Sequence, residues 1–149
     1  MRGVFTAASG IASVSTQKTL SYITAPSTKA LEIYDSSVTS YSSSNQQLKA
    51  AWQRITSLGA PSGVASVPEP HEGGDVSLAT TVFNIANEPL YTGNRIGTEG
   101  FNGNVGWFFD PAPEGRITIG PNQSYGLRLL VTPGTAFDCE VRYTYREIG

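Results

Sequence analysis

The chain has 149 residues, a length that suits one domain and is short for two separate cores. Apolar residues make up 39% and charged residues 15%, with a net charge of −2. That balance argues against a basic nucleic-acid face and against a charged interaction tail. The single cysteine, Cys139, excludes an internal disulfide. No stretch approaches the length of a membrane-spanning helix, and the apolar residues after Arg2 are too few for a secretion signal. The expectation is a soluble protein made in a cytoplasm.

Strands are expected first at residues 3–8, 18–24 and 30–39, where Leu31 and Ile33 flank Glu32 and Pro26 separates the second strand from the third. The Ser/Asn run at 40–45 reads as a loop. Residues 48–58 are ambiguous. Leu48, Ala51, Trp52 and Ile55 follow helical spacing, yet Leu48, Ala50 and Trp52 also alternate as in a strand. Local periodicity slightly favours the helix, against which the β-rich surroundings decide for a strand. Residues 59–74 are rich in Pro, Gly and Ser, lack periodicity, and read as a long surface loop.

Short strands are expected again at 75–85 and 91–96. Gly97, Gly100, Gly103 and Gly106 then recur at every third residue, which reads as a glycine-rich loop entering a strand. Residues 105–109 are the densest apolar stretch, closed by Asp110-Pro111-Ala112-Pro113, and 116–119 form a short strand. If Trp107 and Phe109 face inward, alternation turns Phe108 outward. The clearest signals come last. Tyr125, Leu127, Leu129 and Val131 alternate against Ser124, Gly126 and Arg128, with Leu130 breaking the wet face, and Phe137, Cys139, Val141, Tyr143 and Tyr145 alternate strictly with polar residues. Thr132-Pro133-Gly134-Thr135 between them has the chemistry of a type II turn, so the two strands are expected to form a hairpin.

Catalytic chemistry finds little purchase. His71 is the only histidine, placed among Glu69, Glu72 and Asp75 in a polar loop, without the fixed set of donors that a catalytic metal needs. No Gly-x-Ser-x-Gly elbow presents a nucleophile. Cys139 falls on the apolar face of the best strand, where a buried structural thiol is expected. No enzyme activity, metal or cofactor is therefore expected.

The stretches Phe101-Asn102-Gly103-Asn104-Val105-Gly106-Trp107, Pro111-Ala112-Pro113-Glu114-Gly115-Arg116-Ile117 and Tyr143-Thr144-Tyr145-Arg146-Glu147-Ile148-Gly149 resemble small structural proteins of tailed-phage heads, of the capsid decoration or cement type. Ala25-Pro26-Ser27, Leu31-Glu32-Ile33, Gln47-Leu48-Lys49 and Trp52-Gln53-Arg54 extend the similarity into the first half. The resemblance implies an all-β, jelly-roll-like sandwich or barrel of about eight antiparallel strands. It also implies a trimer on the capsid surface of a virion, bound to the major capsid protein.

Together these readings give one β domain over 1–149, with an adaptable N-terminal arm and the loop at 59–74 as footholds. The expected partner contacts are Phe5, Val64, Val67, His71 and the outward Phe108. Nucleic acid and membrane are not expected partners. A glycan- or receptor-binding module of a phage tail is the competing reading, since jelly rolls also serve lectins.

Overall fold

The computed structural model describes residues 3–149; Met1 and Arg2, part of the expected N-terminal foothold, lie outside the described residues. Thirteen strands are present among the described residues. They are β1 (Val4–Ala8), β2 (Ala12–Val14), β3 (Lys18–Thr24), β4 (Ala30–Ser40), β5 (Gln47–Ser57), β6 (Val64–Ser66), β7 (Glu69–Pro70), β8 (Thr80–Phe83), β9 (Leu90–Asn102), β10 (Trp107–Phe109), β11 (Ile117–Ile119), β12 (Ser124–Leu129) and β13 (Phe137–Ile148). The only helical turn among the described residues is a 3₁₀ turn at Pro113–Gly115.

The strands form two antiparallel sheets packed face to face. Sheet A runs β10-β4-β13-β1-β7, with β11 also on β4 and β2 also on β13. Sheet B runs β6-β8-β3-β12-β5-β9. The pairing follows one rule. β1 pairs with β13, β3 with β12, β4 with β10 and β11, and β5 with β9. The main strands of the first half, β1, β3, β4 and β5, thus meet those of the second half in reverse order. This is a long hairpin rolled into a sandwich, the connectivity of a jelly-roll-like fold. Eight strand positions carry that roll, as expected. The remaining strands extend or continue them at the edges.

The core lies between the sheets. Strict alternation puts Phe137, Cys139, Val141, Tyr143 and Tyr145 of β13 inward, each at most 3% exposed. Trp52 of β5 meets Tyr143 edge-on at 5.3 Å between ring centres, and Phe83 stacks on the same tyrosine at 5.6 Å. Burying each such ring is worth roughly 2–3 kcal/mol. Their polar atoms are satisfied in place. Trp52 Nε1 donates to Ser36 Oγ at 2.8 Å across the sandwich, and the Tyr143 hydroxyl lies 3.0 Å from Ser21 Oγ.

Several expectations are corrected. Residues 125–131 and 137–145 do not form a hairpin, because β12 belongs to sheet B and β13 to sheet A. The Pro133-Gly134 segment reverses the chain but hands it across the sandwich. The N-terminal segment is not an arm from residue 4 onward: β1 is an inner strand of sheet A, held by β13 on one side and β7 on the other. Phe5 is 1% exposed and packs on Tyr145 at 5.7 Å, so this residue is core and not a foothold. Residues 59–74 are not a structureless loop; they contain β6 and β7. The glycine-rich run is largely strand, since β9 continues through Gly97 and Gly100 to Asn102. The ambiguous 48–58 segment is β5, as the β context indicated.

Candidate partner surfaces and the open side of the sandwich

Residues 58–89 form an excursion inserted between β5 and β9, neighbours in sheet B. The excursion leaves the far end of β5, crosses to the opposite side of the sandwich, and lays β7 on β1 and β8 on β3. Two carboxylates fasten it. Glu147, 7% exposed near the end of β13, accepts hydrogen bonds from Ser77 Oγ at 2.8 Å, Leu78 N–H at 2.6 Å and Ala79 N–H at 3.1 Å. Its other oxygen takes Lys29 Nζ at 3.1 Å. Burial alone pushes this carboxyl up, but the donors outweigh it and hold its pKa below the ordinary value.

At the other end of the excursion, Glu88 accepts the backbone N–H of Thr19 at 2.5 Å and the Thr19 hydroxyl at 2.6 Å. The same hydroxyl bonds the Tyr91 hydroxyl. Arg128 lies 4.0 Å over the Tyr91 ring and donates to Gln53 Oε1 at 2.7 Å. Burial, opposed by the Thr19 bond, pushes Tyr91 up to about 12. These groups hold the end of the excursion against the outer face of sheet B, where Tyr22, Ile55, Val82 and Ile85 form a second, smaller apolar cluster.

The sequence-derived contact residues fall in different places. Phe108 is 63% exposed on β10, opposite Ser37 on the outer face of sheet A. Its neighbours Trp107 and Phe109 face inward and stack at 6.0 Å, as alternation required. Val64 and Val67 are 65% and 87% exposed and lie on the excursion. His71 is also there. Its Nε2 lies 2.8 Å from Thr6 Oγ1, and its N–H donates to the Val4 carbonyl, so it joins the excursion to β1. The excursion thus gathers Val64, Val67 and His71 on one side of the sandwich and leaves Phe108 on the other. Among the described residues, no group of three or more His, Cys, Asp or Glu side chains is placed to hold a metal ion.

Sequence reasoning missed an apolar concavity. A groove of about 250 Å³ opens between the sheets on the excursion side. Its floor is Val14, Leu20, Phe83, Cys139 and Val141, all buried. One wall is the chain from Ala8 to Ala12, the other β6. Ile11, 62% exposed, and Val64 line it near solvent. Burial pushes the Cys139 thiol up to about 12, so the floor carries a neutral thiol packed as an apolar group. The signal in the sequence was Ile11, an apolar residue beside Gly10 with no place in any alternating run.

Comparison with known protein families, with curated proteins and with solved structures finds no match for this chain.

Proposed function

We propose that this chain is a virion structural protein, a capsid decoration or cement protein that binds the major capsid protein of a phage head as a trimer. The observation that carries the reading is Phe108. It is a large aromatic held outward on a short edge strand by two inward neighbours, and it stands 63% exposed. Such a residue on a lone protomer is a liability that a neighbouring subunit relieves. Three further features support it. The fold is a jelly-roll-like sandwich with no helical segment longer than one turn among the described residues. The resembling motifs do structural work here: Trp107 packs between the sheets, and Glu147 fastens the excursion. The titratable groups most altered by their surroundings, Cys139, Tyr143 and Tyr145, are core residues of β13 rather than a reactive set.

A trimer bound through three contacts gains avidity, because the second and third bind at high effective concentration. With few charges, that binding rests on shape and apolar contact and survives moderate salt. Light scattering of the purified protein and co-sedimentation with undecorated capsids test the reading together. The expected result is a trimer that pellets with capsids, and a Phe108→Ser variant that is monomeric and stays in the supernatant. A monomer that ignores capsids and binds a glycan array transfers the protein to the competing glycan-binding reading.

A further inference from the structure

The groove on the excursion side is bounded in an unusual way: both of its walls end in a strand edge. β2 pairs with β13 and with no other described strand. β6 pairs with β8 alone and is the outermost strand of sheet B. Its outer edge carries backbone donors and acceptors with no partner strand, directly beside an apolar trough. We infer that this groove is a docking site for an extended segment of another polypeptide, which adds to sheet B as a strand along β6 and seats alternate apolar side chains between the sheets.

Each part of the geometry selects that occupant. A strand presents a side chain to one face at every second residue, so one chain can satisfy the β6 edge and fill the trough at the same time. The volume of about 250 Å³ accommodates a small number of aliphatic side chains and no folded domain. Lining atoms are chiefly Ala, Ile, Val, Leu and Phe, with Lys18 the only charged residue, its Nζ bonded to Asn84 Oδ1 at 3.1 Å. A second copy of this chain is a poor donor. Its strands are already paired within the two sheets, and its non-strand apolar segment with Val76 and Leu78 is held by its own Glu147 through Ser77, Leu78 and Ala79. The other long edge of sheet B is built against such addition. β9 is irregularly paired at three points, turns left-handed at Gly93 and Gly97, and carries Arg95 and Glu99. This inference stands on the groove alone and does not depend on the virion reading.

The test titrates the full chain with a capped heptapeptide in which valine and leucine alternate with threonine, followed by amide chemical shifts and hydrogen exchange. The expected result is saturable shifts at residues 8–14 and 64–66 and at the floor residues Leu20, Phe83, Cys139 and Val141, with slowed exchange along β6. Methylating the peptide's alternate backbone nitrogens on the bonding edge should weaken binding by about tenfold or more. Ile11→Asp and Val64→Asp change exposed side chains, leave the fold intact, and should abolish the shifts. Unchanged affinity of the methylated peptide would show an apolar crevice without strand addition and overturn the inference. So would shifts centred on β9, absence of shifts at millimolar peptide, or self-association that Val64→Asp removes.

Discussion

The two sides of the sandwich solve the same problem differently. Where β9 and β10 approach each other, the gap between the sheets is closed from within. Trp107 and Phe109 stack in parallel, and the Phe109 ring lies where a side chain at position 97 would be, a place open only because Gly97 has none. Gly106, just before Trp107, leaves no room for a side chain, since an added Cβ would meet the Val38 carbonyl. On the opposite side, among the described residues, no stacked aromatic pair fills the gap above Phe83. Closure comes from outside, by an excursion fastened through Glu147 and Glu88, and it stops short of sealing the groove. A plug made of core residues ties closure to overall stability. A strap made of surface segments leaves the opening free to be used.

That contrast makes the plugged side the sensitive one. Gly106→Ala should have the largest effect. The residue has φ of +97°, and an added Cβ would lie 2.5 Å from a backbone oxygen that cannot swing away. The expected loss is about 3 kcal/mol, measured by denaturant unfolding. A loss under about 0.5 kcal/mol would show that the β10 edge yields, and the distinction between the two sides would lapse.

The strap should be intermediate and pH-dependent. Glu147→Gln keeps the shape of the side chain but removes the charge that its donors favour, at a cost of about 2 kcal/mol near neutral pH. The carboxyl's folded pKa is depressed, so its contribution is complete above the ordinary glutamate value of about 4.5 and disappears as pH falls through the lower folded value. The wild-type and variant stability curves should therefore converge in acid. A constant gap down to the most acidic point would mean that the charge plays no part.

The groove should be the least sensitive. Ile11→Thr on its lip is expected to change stability by less than about 0.5 kcal/mol, since Ile11 is 62% exposed. A thermal melt shifted by the equivalent of 2 kcal/mol would make Ile11 a core residue and the groove an incidental gap.

Legibility followed the same division. Wherever two faces of a strand differ in environment, the pattern was readable. β3 has the bounds expected for it, and the odd positions of β13 are core as the alternation required. β5 shows why alternation can mislead. Ala51 and Gln53 on its outer face are buried too, Gln53 bonded to both Gly93 of β9 and Arg128 of β12, so local periodicity slightly favours a helix. Pro133-Gly134 announced a reversal, but turn chemistry says nothing about which sheet receives the next strand. The excursion was opaque for a related reason. β6 and β7 are three and two residues long, too short for a period to show, and the excursion that carries them is fastened by Glu147, more than sixty residues away in sequence. Phe5 was misassigned because proximity to a chain end was weighed above the alternation around it. Phe108 was assigned from alternation and stands where expected. The groove belongs to no single segment. Its walls come from residues 8–12 and 64–66, and its floor from β2, β3, β8 and β13.

The position of β13 also governs the order in which the molecule can come into being. It lies in the middle of sheet A, between β4 and β1, and pairs residue 4 with residue 146. On a ribosome, β1 and β4 are made early and have no central partner until residues 137–148 emerge. The centre of sheet A therefore closes only once residues 137–148 are made, and its ladders close loops of roughly 60 to 140 residues. Such a chain folds slowly, with β1 able to hold only β7, and β4 only β10 and β11, until β13 arrives.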